Sequence, residues 1–264
     1  MDRAKGTDRL LDILAYFEGS RDPVSRNALA VALDCPRSTV YVLVAQLVER
    51  SWLQQLPNGT VRLGYRAGLV GLAYAGHEEF EKSARFVVGK LAEDLGEVVD
   101  LDIIDRWKQL VVVSASGRGK TYLSVVEGSR YPLPLTASAR VLLDGIPART
   151  LEARIPPEDF TAGNGSAVLL VDFVQEICEA QRLGYGVVQG SIDPMIGAVS
   201  VPVRNKVGQC LAALSVVLPS EIIQRDVADL VRRLRSAALE LESRLRLVEW
   251  PLGEAALLAV RAEA

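Results

Sequence analysis

The sequence predicts an α+β chain: a small N-terminal winged helix-turn-helix unit, a linker helix, and a larger domain of helices packed on a mainly antiparallel sheet. Three observations carry this. Residues 25–50, SRNALAVALDCPRSTVYVLVAQLVER, hold two short helical patterns separated by a tight break. A Pro57-Asn58-Gly59 turn then joins two β-like runs. Beyond residue 83, extended runs alternate with helical ones and end in a long amphipathic helix.

Taken in order, Leu10, Ile13, Leu14 and Phe17 form one apolar stripe and predict a first helix over residues 7–18. In the second helix of the helix-turn-helix, Val40, Leu43, Val44 and Leu47 form the buried stripe and leave Arg37, Ser38, Tyr41, Val42 and Ala45 on the other face. Pro36 suits the first helical turn, where a missing amide proton costs nothing. Residues 52–56 and 60–63 read as the strands of a wing, because Asn58 and Gly59 both tolerate positive φ.

The exposed face has DNA-reading chemistry. Arg37 can pair with phosphate or present its fork to guanine, Ser38 and Thr39 can bond phosphate oxygens at a helix start, and Tyr41 offers a hydroxyl and a ring. With Arg26, and with Asn58 and Arg62 on the wing, these are the candidate DNA contacts. Residues 1–66 carry a net charge of only +2, and the remainder of the chain −5. Counterion release is therefore weak, so base contacts and doubling by dimerisation on a palindromic double-stranded site have to supply affinity. Winged helices also dock proteins, and a constitutive architectural DNA-binding protein is a further alternative.

The organisation read from the chain is 1–66 for the winged unit, 67–82 for the linker helix, 83–250 for the larger domain and 251–264 for a C-terminal tail. In the larger domain a helix over 83–95 precedes extended runs at 98–104, 109–115 and 122–126. Helices at 137–143 and 171–183 follow, then two strands at 197–203 and 210–218 joined by a hairpin loop with Asn205 and Gly208. Ser220 is a good N-cap for a closing helix to about residue 249, whose apolar side holds Ile223, Val227, Leu230, Val231, Leu234, Leu241 and Leu245.

Several function classes are disfavoured. No apolar run approaches the roughly 18 residues of a membrane span and the start MDRAKGTDRL lacks a signal region, so a soluble cytoplasmic protein is expected. Cys35, Cys178 and Cys210 are far apart and fit reduced packing residues, with no metal site and no cofactor. The single histidine, His77, lies beside Glu78 and Glu79 and fits a surface residue better than a catalytic base, and the chain is read as no enzyme. Residues 117–121, GRGKT, lack the spacing of a phosphate loop and read as a polar turn.

Three blocks together resemble the IclR family of bacterial transcription regulators across nearly the whole chain. They are PRSTVY with LV-x-QLVE and VRLG in the first unit, YPLPLTASARVLL at 131–143, and LGYGV at 183–187 with VSVPVRNKVGQCLAALSV at 199–216. The resemblance implies a GAF-like C-terminal domain that binds a small effector and alters how paired DNA domains sit on an operator, a repressor being favoured and a dimer of dimers the implied assembly. Carried over by position, the implied effector contacts are Leu123, Tyr131, Ala137, Ser138, Ile196, Ala198, Ser200 and Ser215. The turn Thr136-Ala137-Ser138 can offer backbone amides to a carboxylate, whereas Ser200 and Ser215 equally suit satisfying backbone groups in a core sheet. Ala139, Arg140, Met195, Ala198 and the segment around Gly190 and Ser191 depart from the family pattern. A less polar wall with a flexible Met favours an aromatic or aliphatic organic acid, or a lactone, over a two- or three-carbon acid.

Overall fold

A computed structural model describes residues 2–18, 22–74, 78–118 and 125–245. The chain forms two compact units, Met1–His77 and Glu78–Ala264.

In the first unit, α1 (Asp2–Tyr16), α2 (Arg26–Ala32) and α3 (Arg37–Glu49) precede a two-stranded antiparallel wing, β1 (Leu53–Gln55) and β2 (Val61–Leu63). The stripes read from the sequence become its core: Ile13, Phe17, Leu29, Val40, Val44, Leu47, Leu53 and Val61 are all buried together. Two local expectations change. Pro36 does not enter the first turn of α3 but is its N-cap, with the Thr39 and Val40 amides bonding its carbonyl. The wing loop is longer than a two-residue turn and only Gly59 takes positive φ, +81°; Asn58 instead braces the loop by accepting from the Thr60 amide at 3.1 Å and its hydroxyl at 2.6 Å. The linker helix read at 67–82 and the helix read at 83–95 divide at other positions: they are α4 (Tyr65–Tyr74) and α5 (Glu78–Leu95). His77 lies outside the described residues.

The second unit is built on one six-stranded antiparallel sheet in the order β5-β4-β3-β8-β7-β6, with β3 (Val98–Asp105), β4 (Lys108–Ser116), β5 (Arg130–Pro132), β6 (Gly186–Gln189), β7 (Ile196–Arg204) and β8 (Cys210–Pro219). Alternation along the central strands makes two unlike faces. Val99, Leu101, Val201, Leu214 and Val216 pack under α5 and α9 (Ser220–Arg244). The opposite face carries α6 (Ala137–Leu142) and α8 (Leu170–Leu183), with α7 (Ala148–Arg154) beside them. β6, α7 and the short strand β5 were not anticipated. Residues 122–124 of the expected strand at 122–126, and the C-terminal tail, fall outside the described residues. Ser220 is not the cap of α9: Pro219 is, and the Ser220 hydroxyl is buried with no partner. Cys178 is exposed rather than packed, while Cys210 is buried and its thiol pushed up to about 12 by that burial. Among the described residues no helix is long and apolar enough to cross a membrane.

The turn between β3 and β4 has only two residues, Arg106 and Trp107, both at positive φ (+50° and +59°). That is the hairpin geometry normally left to Asn and Gly. The buried Trp107 ring, packed among Leu133, Leu143 and Leu151 in the α6–α8 core, holds it.

α6 lies so close to β6 that a Cβ on Gly186 would sit 2.6 Å from the Ala137 carbonyl oxygen and 2.7 Å from the Arg140 Cβ. Gly186→Ala is expected to cost about 1–3 kcal/mol by pushing α6 from the sheet, as overpacking does. Urea denaturation of the purified chain checks it, and an unchanged midpoint would remove the close-approach argument.

Candidate functional site

On α3 the structure leaves Arg37, Ser38, Tyr41, Val42 and Ala45 exposed and half-buries Thr39. The Arg37 side chain makes no hydrogen bond or ion pair to another described residue. The Arg26 guanidinium lies 5.3 Å from the Tyr41 ring centroid and donates to Gln55 Oε1 at 2.6 Å, while the Tyr41 hydroxyl donates to Asn27 at 3.3 Å. These bonds gather the start of α2, the face of α3 and the wing strand into one surface. Arg62 is braced by Gln54 Oε1 at 3.0 and 2.9 Å. Both arginines keep further donors free for phosphate or base edges.

The second site is a cavity of about 130 Å³ on the α6 face of the large sheet. Tyr131, Ala137, Ser138, Ile196, Ala198, Ser200 and Ser215 all line it. Leu123 lies outside the described residues. Met195 does not line it and is exposed, so the argument from a flexible Met in the wall fails. Arg140 is also outside the lining: it is buried, donates to the carbonyls of Leu133, Pro134 and Thr136, and pairs with Glu176. It ties down the segment entering α6, and its charge serves those carbonyls rather than a ligand.

Strand register explains the polar floor. Ser114, Asp100, Ser215 and Ser200 face one another in a row across β4, β3, β8 and β7. Ser215 donates to Asp102 Oδ2 at 2.7 Å. Ser200 and Ser215 are 2.7 Å apart, and because a hydroxyl has one proton, Ser200 is the donor between them. From α6, Ser138 donates to Gln109 Oε1 at 2.6 Å, and Gln109 bonds Asp102 in turn. The serines therefore satisfy each other and a buried acid, not backbone groups. Sequence reasoning missed Asp100, Asp102 and Gln109. The available signal was two acids two residues apart in the otherwise apolar run VVDLDII at 98–104, a spacing that puts both on one face of a strand.

Burial favours the protonated form of both carboxyls. Burial, more than the nearby Glu127, raises Asp100 to about 7 against a hydrogen bond from Ser114. Burial first, and then Asp100, raises Asp102 well above the usual carboxylate range despite the bonds from Ser215 and Gln109. Tyr131 is raised too, by burial and then by Asp100. Asp100 Oδ1 and Asp102 Oδ1 have no hydrogen-bond partner among the described residues.

The comparisons with known proteins fit this architecture. Residues 72–243 match the family described as bacterial transcriptional regulator IclR C-terminal, and residues 6–57 match the IclR helix-turn-helix domain. The chain belongs to the IclR family of bacterial transcriptional regulators. The HTH-type transcriptional regulator KipR of Bacillus subtilis is 24% identical over 212 residues, covering 80% of this chain and 85% of its own. The HTH-type transcriptional repressor AllR of Klebsiella pneumoniae is 23% identical over 225 residues, 84% of this chain and 83% of its own. An IclR regulator from Alicyclobacillus acidocaldarius superposes with a TM-score of 0.74 at 20% identity, covering 91% of this chain and 98% of its own. An IclR homologue from Microbacterium hydrocarbonoxydans, solved with 4-hydroxybenzoate, gives 0.71 at 22% identity, with 91% and 99% covered. At this identity the two solved structures share the fold of this chain.

The buried acids predict a pH dependence. Asp100 releases its proton near 3.8 when unfolded and near 7 when folded, where Asp102, Glu127, Tyr131 and Ser114 surround it. Between those values the folded state binds more protons, so this group's contribution to stability falls as pH rises. The melting temperature of Asp100→Asn, relative to the parent, should therefore climb from pH 3.8 to about 7 and level off above it. A difference that does not change with pH would mean the acid is not held protonated.

Proposed function

We propose that this IclR-family regulator is a ligand-responsive repressor in the cytoplasm. It holds a palindromic operator through paired winged helices and releases or tightens it when a small effector enters the cavity under α6. A cavity lined by seven of the effector contacts implied by the resemblance carries this reading. A volume near 130 Å³ suits one six-membered ring with a short polar arm, since an apolar cavity of ~150 Å³ holds benzene. That supports an aromatic or compact aliphatic organic acid, or a lactone, with its carbon frame against Leu135, Val188, Ile196 and Val217. The reading assigns the cavity binding and no catalysis.

On the DNA side, Arg37, Ser38, Tyr41 and Thr39 read the major groove, Arg26 supports the same surface, and Asn58 and Arg62 meet the backbone from the wing. A net charge of +2 on residues 1–66 makes phosphate attraction weak, which is why pairing of two such units, in a dimer or a dimer of dimers, belongs to the proposal. The effector acts by differential affinity: a ligand that binds two arrangements of the paired units equally shifts nothing. α4 and α5 are the segment that carries the change.

Fluorescence anisotropy of the full chain on DNA from upstream of its own gene, against scrambled DNA and at several salt concentrations, tests the proposal. The native fragment should be preferred, and Arg37→Ala should weaken binding to it at least about tenfold, the size of one lost charge-assisted contact. Equal affinity of parent and variant would refute α3 as the reading helix. Ala198→Trp, which fills the cavity, should abolish any effector response of the protein–DNA complex, and a response that survives would move the effector elsewhere.

A further inference from the structure

The proposed effector cavity leaves two carboxyl oxygens without a partner among the described residues. Asp102 and Asp100, at 0% and 2% exposure, both line it, and the Oδ1 atom of each has no hydrogen bond. A buried acceptor left unbonded is costly, and native structures rarely keep two in one place without a function. The other oxygen of Asp102 is already served by Ser215, and Asp100 shares a bond with Ser114. The free oxygens are thus the atoms the fold leaves for a guest.

The charge around them selects that guest. Among the described residues the lining holds three acids, Asp100, Asp102 and Asp193, and no Lys, Arg or His. A carboxylate set against the two floor acids has no cation to meet among the described residues, and each floor acid that ionises repels it. A donor with positive charge instead draws the proton from an acid that it faces, which turns that carboxyl into an ionised acceptor, and the Tyr131 ring in the same lining offers an aromatic face that also favours a cation. A metal ion is a poorer occupant, because among the described residues no group of three or more His, Cys, Asp or Glu is placed to hold one.

Resting on the reading of the cavity as the effector site, we infer that its ligand carries a protonated nitrogen, an amine or amidine on a frame about one ring in size, which donates to Asp100 Oδ1 and Asp102 Oδ1. An organic acid meets this requirement when it also bears such a nitrogen, with its carboxylate turned away from the strand floor. Ser200, Ser215, Gln109 and Ser138 are positioning residues: through one connected set of hydrogen bonds they fix the carboxyl of Asp102 and leave its Oδ1 without a partner among the described residues.

Isothermal titration calorimetry of the full chain at neutral pH, with benzylamine, benzyl alcohol and benzoate as probes of nearly the same shape, tests this. Benzylamine should bind at least about tenfold more tightly than either of the others, and Asp100→Asn and Asp102→Asn should each weaken it by about tenfold while narrowing its advantage over benzyl alcohol. No probe should bind Ala198→Trp. If benzyl alcohol or benzoate binds as tightly as benzylamine, and Ala198→Trp removes that binding, the nitrogen assignment is overturned while the cavity remains the effector site. If no probe shows binding that Ala198→Trp removes, the effector reading of the cavity falls, and the inference with it. Should an Asn variant fail to fold by circular dichroism, the ranking of the three probes on the parent decides alone.

Discussion

The placement of two aspartates in the middle of a six-stranded sheet sets the terms for the second unit. β3 has β4 on one side and β8 on the other, so Asp100 and Asp102 have no solvated edge to reach. An unbonded buried polar group costs about 1–3 kcal/mol, and an ionised one much more. The fold meets this in three ways: it favours the protonated form of both acids, it aims short hydroxyls and one amide at them, and it leaves open volume above them. The first two explain why Ser114, Ser200, Ser215 and Gln109 occupy positions that an ordinary sheet face would fill with Val or Ile. The third follows from the small residues there. Ala198 and Ala137 line the cavity without filling it, and α6 roofs it because Gly186 lets the helix come down on β6.

The same strand makes the opposite face. Val99, Leu101 and Ile103 alternate with the two acids and pack with α5 and α9. β3 is therefore a shared wall: the cavity is on one side and the helix through which the chain enters this unit is on the other. Packed interiors transmit strain because they are dense, so a guest that shifts β3 or its partner β8 acts directly on the seat of α5. No long chain of intermediates is needed between the ligand and the segment that leads to the DNA-binding unit. Long-range coupling through α4 requires only that α5 have two seats of similar energy.

Much of this was legible in the sequence because periodicity reports burial. The stripe Val40, Leu43, Val44, Leu47 fixed which side of α3 faces outward, and the apolar positions of α9 appeared where the pattern put them, with Val227 partly buried and the others buried. What escaped was decided by tertiary contact. The Arg106-Trp107 turn carries no Asn or Gly, and the burial of the indole holds it. Ser220 has the chemistry of a cap, but Pro219 takes the position. Arg140 looked like a change near a ligand, and its guanidinium is occupied by three carbonyls and Glu176. The cavity's most consequential residues were passed over because VVDLDII reads as a buried strand whatever the two acids do. An alternation count registers acids on one face of such a strand as the solvated side, and here that side is roofed by α6.

The coupling proposed between the cavity and the DNA surface needs only a modest energy. Allosteric coupling of 1–3 kcal/mol is typical, equivalent to about 5–150-fold in affinity. A guest that bonds Asp100 Oδ1 and Asp102 Oδ1 removes two penalties of about 1–3 kcal/mol each, enough to supply that coupling if only part of the gain depends on how α5 is seated. A guest making apolar contacts alone gains mainly from area, and it gains nearly the same in any arrangement that keeps the cavity closed. The two orphaned oxygens are directional, and their distance to a donor changes with any movement of β3 against α6. A weakly charged DNA-binding unit keeps that energy small. With a net charge of +2 on its first 66 residues, the chain has little non-specific attraction to overcome, so a modest change in affinity is enough to decide between bound and free.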